Sequence, residues 1–90
     1  MPTPISTLFL LMAEFGTVDI PVEKAAERYL GLDVRAAKSR AARGELPFPA
    51  YRCGSQKSPW IVRVTDLAEW IDRERAKGLA DWQARNGVVA

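Results

Sequence analysis

Histidine is absent from this 90-residue chain, and cysteine occurs once, at Cys53. Those scarcities remove whole classes of chemistry. A zinc site of the usual Cys/His type and a Ser–His or Cys–His nucleophile pair cannot form within one chain. No disulfide forms within it either, which fits a reducing cytosol. Long hydrophobic runs are missing too. The longest, Leu8 to Ala13, falls well short of the ~20 residues that span a bilayer. No Lys or Arg precedes that run, as a secretory signal peptide would require, so a cytoplasmic location with no membrane partner is expected. Paired carboxylates in an apolar setting and a Gly-rich phosphate loop are also lacking. Catalysis is therefore not expected, and no cofactor or metal is implied.

What is present suits one small domain. An apolar fraction of 48% with three tryptophans can build a modest core. Charge is segregated. Between Asp33 and Arg63 stand Arg35, Lys38, Arg40, Arg43, Arg52, Lys57 and Arg63, opposed only by Asp33 and Glu45, a net +5 where the whole chain carries +2.

Residues 1–6, MPTPIS, hold two prolines and read as a loose lead-in. Leu8, Leu11, Met12 and Phe15 recur at helical spacing, with Thr7 as a candidate cap and Gly16 suited to the left-handed residue after the end. Phe9, Leu10 and Ala13 make this helix apolar nearly all round, so it wants cover on two sides, as a fully buried element or against a second protomer. Thr17 to Ile20 form a connector or short strand. Pro21 opens a helix whose apolar face is Val22, Ala25, Ala26, Tyr29 and Leu30, and Gly31 closes it.

Asp33 then caps a third helix. Val34, Ala37 and Ala41 face the preceding helix, while Arg35, Ala36, Ser39, Arg40, Ala42 and Arg43 cover the opposite arc, with Lys38 at its boundary. Small alanines let such a helix approach a groove wall while arginines reach past it. Gly44 ends the helix, and LPFP turns the chain with Leu46 and Phe48 as anchors. AYRC and WIVRV read as a β-hairpin around the tip GSQKSP, whose hydroxyl, amide and ammonium groups suit phosphates or minor-groove edges. Cys53 reads as a small packed residue. Thr65 is the candidate cap of a last helix with a core stripe of Leu67, Trp70 and Ile71. Gly78 reads as an interruption, followed by a helical extension over 79–90 that frays from about Gly87.

The expected fold is mainly α with a small β-hairpin, a winged helix-turn-helix with an additional N-terminal helix spanning 7–78. TLFLLMAEFG, GELPFPAYRCGSQKS and VTDLAEWID, in that order, resemble the pyocin activator family. That resemblance implies a small DNA-binding regulator of prophage or phage-derived genes, a transcriptional activator. The order of elements is also similar to that of phage excisionases, and a phage-encoded protein-interaction module inhibiting a host protein is a further alternative.

On the DNA-binding reading, Arg35, Ser39, Arg40 and Arg43 enter the major groove, where arginine pairs with guanine. Lys38, Arg52, Gln56, Lys57 and Arg63 hold phosphates, and Ser55 and Ser58 complete the tip. Double-stranded DNA is the expected partner, bound by a homodimer or cooperative oligomer. RNA polymerase or an integrase would be the protein partner.

Overall fold

A computed structural model describes residues 6–87; all of the expected 1–6 lead-in but Ser6, and the last three residues, lie outside them. The order is α1 (Thr7–Phe15), β1 (Asp19–Pro21), α2 (Val22–Leu30), α3 (Val34–Ala42), β2 (Ile61–Arg63) and α4 (Val64–Arg85). The mainly helical, winged helix-turn-helix architecture with an extra N-terminal helix matches the sequence expectation.

Each helix boundary has a local cause. The hydroxyl of Ser6, not Thr7, caps α1 by accepting from the Phe9 amide at 3.1 Å. Thr7 instead donates to Asp72 on α4 at 2.5 Å. Gly16, at φ 68°, ends the helix. Asp33 caps α3 as expected, accepting from the Ala36 amide at 2.8 Å. At the other end of α3 the Glu45 amide bonds back to the Arg40 carbonyl at 2.9 Å, while Gly44 takes φ 67°.

Thr65 does not cap α4. The helix starts two residues earlier than that cap implies, because Val64 is at once the last rung of the sheet, donating to the Val18 carbonyl at 2.8 Å, and the first helical residue. Gly78 does not interrupt α4 either. Its φ is not positive, and a glycine inside a helix costs only about 1 kcal/mol.

The expected hairpin is reduced to one rung. Tyr51 and Ile61 exchange both backbone bonds at 2.9 Å. The next pairs that would bond are 53 with 59 and 49 with 63, and Pro59 and Pro49 have no N–H to give. The main partner of β2 lies far upstream. β1 pairs with it antiparallel, Asp19 opposite Arg63, Ile20 opposite Val62 and Pro21 opposite Ile61. Val22 and Val18 carry the flanking bonds to Trp60 and Val64, so Pro21 sits where no N–H is called for.

Leu11, Ile20, Val22, Ala25, Ala41, Phe48, Val62, Val64, Leu67 and Ala68 form the core between the sheet and the helices. Trp70 joins it from the edge, in T-shaped contact with Phe48 at 5.2 Å and Tyr29 at 6.3 Å. The period-two reading of β2 holds, with Val62 and Val64 inward and Arg63 exposed.

Among the described residues two helices carry open apolar surfaces. α1 buries Leu11 and tucks Leu8 and Phe15 against the core, but Phe9 is 58% exposed and Leu10 and Met12 are open as well. It is therefore not a fully buried element of the monomer. α4 runs past α1 as a projecting rod, exposed from Asp72 onward, with Leu79 and Trp82 uncovered. This rod accounts for a radius of gyration of 15.4 Å and a long axis of 51 Å, against the ~12 Å radius of a compact domain this size.

Candidate nucleic-acid interface

α3 docks through alanine alone. Ala37 and Ala41 are buried against the core, and the Gly31-Leu32-Asp33 turn brings the helix across α2. Val34, expected on the buried side, is 52% exposed. It begins the helix immediately after the turn.

At 100° per residue, Arg35, Ser39 and Arg43 occupy the centre of the arc facing away from Ala37 and Ala41, and Lys38 and Arg40 stand on its two shoulders. All four charged side chains are exposed and Ser39 is half-buried. Arg35, Lys38 and Arg40 have no ion-pair partner among the described residues, whereas Arg43 donates to Glu45 at 3.1 Å. That pair is open to solvent and contributes little to stability.

Between α3 and the wing, the LPFP corner leaves a shallow apolar depression of about 370 Å³ lined by Ala41, Leu46, Pro47, Phe48 and Ala50. Phe48 is buried, as the anchoring role requires.

The wing tip is a structured turn. The Ser58 amide bonds to the Ser55 carbonyl at 3.0 Å, the Ser55 hydroxyl accepts from the Lys57 amide at 3.2 Å, and the Ser58 hydroxyl accepts from the Ser55 amide at 3.3 Å. Ser55 and Ser58 thus shape the tip, and Gln56 and Lys57 stand exposed on it. Cys53 is exposed, not packed, because the ladder ends before it. Arg52 lies over the Trp60 ring, 4.4 Å from its centroid.

Arg63 is engaged in a way the sequence reading missed. Its Nε donates to Asp19 Oδ1 at 2.7 Å, and a second guanidinium nitrogen donates to the Tyr51 hydroxyl at 3.2 Å, which itself donates to the same Asp19 oxygen at 2.7 Å. The Tyr51 hydrogen bond, then Arg63, holds the Asp19 carboxyl below its ordinary value of 3.8. Asp19 in turn pushes the Tyr51 phenol above 10.0. The signs fix the pH window. The carboxylate's contribution is fully present above pH 3.8 and lost as pH falls through the lowered value, and the phenol's is present below pH 10.0 and lost as pH rises through the raised one. Asp19→Asn should therefore flatten the acid limb of stability below about pH 4 and leave the neutral range without slope. Urea unfolding at a series of pH values checks this.

Among the described residues no helix is long and apolar enough to cross a membrane, and no three acidic or Cys side chains gather as a metal site. Neither a curated protein nor a solved structure matches the chain. The family model described as Pyocin activator protein PrtN matches residues 7–78, which contain α1, the α2–α3 pair, the wing and the packed half of α4. The chain belongs to the pyocin activator family, a family of prophage-related transcriptional activators and not an enzyme class.

Proposed function

We propose that the chain activates transcription by binding duplex DNA sequence-specifically, with α3 in the major groove and the wing on the backbone. The observation that carries this reading is the α3 surface: four exposed basic side chains around small residues, on a helix whose only buried contacts are alanines. Arg35, Ser39, Arg40 and Arg43 are the candidates for base edges, and Lys38, Arg52, Gln56 and Lys57 for phosphates.

A transcriptional fusion carrying the intergenic DNA beside the gene tests it. Expression of the chain should raise reporter output, and Arg35→Ala should abolish the rise while the protein accumulates normally. An unchanged reporter together with capture of one host protein would favour a protein-directed role. A site beside an attachment sequence instead of a promoter would favour excision.

Lys57→Ala should lower affinity about equally for every duplex and reduce the slope of log affinity against log salt by about 0.9. A sequence-dependent loss with unchanged slope would place Lys57 on a base.

One module with so few cationic contacts binds weakly alone, so two copies on paired half-sites complete the proposal. The projecting end of α4 supplies a surface for pairing, since Trp82 falls about five turns after Val64 and so continues the face that carries the core stripe. Leu79→Glu with Trp82→Glu should convert dimer to monomer in sedimentation while the far-UV circular dichroism spectrum stays native. A wild-type chain that sediments as a monomer on and off DNA would remove pairing from the account.

A further inference from the structure

Resting on the DNA-binding reading, we infer that Arg63 is a positioning residue: with Asp19 and Tyr51 it clasps the base of the wing to β1 and so aims Gln56 and Lys57, instead of touching DNA itself.

The backbone cannot do this work. Among the described residues only the Tyr51–Ile61 rung joins the incoming limb of the wing to β2, because Pro49 and Pro59 end the ladder on either side. Side chains supply the missing link. Asp19 and Arg63 face each other across β1 and β2, and Tyr51 stands across β2 on its other edge. One carboxylate oxygen receives both the phenol and the guanidinium, so three segments far apart in sequence meet at a single acceptor. The third bond, from the guanidinium to the phenol oxygen, closes the triangle.

Two consequences separate this role from a phosphate contact. Asp19 already balances the Arg63 charge, and the fork geometry, which lysine lacks, lets one side chain serve two acceptors. On the opposite face of β2, Arg52 over Trp60 braces the same limb.

The test uses the full chain with a nitroxide on Cys53, two residues past the clasp and exposed. It compares Arg63→Ala, Arg63→Lys, Asp19→Asn and Tyr51→Phe. All four should raise nitroxide mobility, and all four should lower duplex affinity by a similar factor with the same small change in salt slope, the part that a misaimed Lys57 gives up. Arg63→Lys is the sharpest case. It keeps the charge and should nevertheless behave like Arg63→Ala.

The proposal is overturned if nitroxide mobility does not change. It is also overturned if Arg63→Ala lowers the slope by about 0.9 while Arg63→Lys restores it and Asp19→Asn, by releasing the guanidinium, tightens binding. If the wild type binds no duplex at all, the DNA-binding reading fails, and the nitroxide arm alone then confirms or rejects the clasp. Cooperative unfolding with a native far-UV circular dichroism spectrum in Asp19→Asn and Tyr51→Phe separates loosening of the wing from loss of the fold.

Discussion

Trp70→Ala should destabilise the domain by about 2–4 kcal/mol, at the low side of the range for aromatic truncation because the side chain is half-buried. The indole meets Phe48 at the end of the LPFP corner and Tyr29 on α2, both edge-on, so it ties α4 to the helix-turn-helix and to the chain leading into the wing. Among the described residues no other aromatic ring pairs with both. A chain of 90 residues has a total stability of about 5–14 kcal/mol, so this change removes a large share. The melting temperature should fall on the order of 10–20 °C. Thermal unfolding followed by circular dichroism reads the effect directly. A shift of only a degree or two would mean that Trp70 covers the core without holding it.

Arg35→Ala should behave in the opposite manner, leaving the melting curve in place while specific affinity drops by about 1–3 kcal/mol, roughly 5- to 150-fold. Arg35 is exposed in the first turn of α3, near the middle of the outward arc, with no ion-pair partner among the described residues. Nothing in the fold needs its charge. Arg40→Ala should follow the same pattern from the shoulder of the arc. Arg43 is a less clean probe, because its truncation also strands the Glu45 carboxylate. Equal losses on specific and random duplexes would reassign Arg35 from base edges to phosphate.

Local signals explain what was legible in the sequence. The spacing of Val22, Ala25 and Ala26, the stop at Gly31 and the cap at Asp33 place α2 and α3 within a residue of where they stand. Those features act within one or two helical turns, so a linear reading captures them.

The rest depends on contacts between distant segments. The partner of β2 is a three-residue strand around Ile20, too short to announce itself by periodicity, and the hairpin reading assigned β2 the wrong main neighbour. Arg63 consequently looked like one more cation of a basic stretch. Treating Asp19-Ile20-Pro21 as a strand and asking which cation it faces would have exposed the pair. Cys53 looked packed because the ladder was assumed to reach it, although the two prolines that stop it are visible in the sequence. Gly78 looked like a break because glycine is a poor helix former. In the folded chain the cost falls on one residue of a long helix and α4 continues to Arg85. Val34 was misplaced by a wheel that carried the buried face one turn too far.

On the proposed function, the α3 surface reads duplex DNA. Fluorescence anisotropy of two labelled duplexes across a salt series tests it most directly. One duplex comes from the intergenic region flanking the gene, and the other is a random sequence of equal length. Tight, salt-sensitive binding to the flanking duplex, weaker binding to the random one, and a narrower gap between the two in Arg35→Ala are the expected results. Equal binding to both duplexes, or none to either at about 0.15 M salt where steering charges are screened beyond about 8 Å, would contradict it and turn the basic face towards a protein.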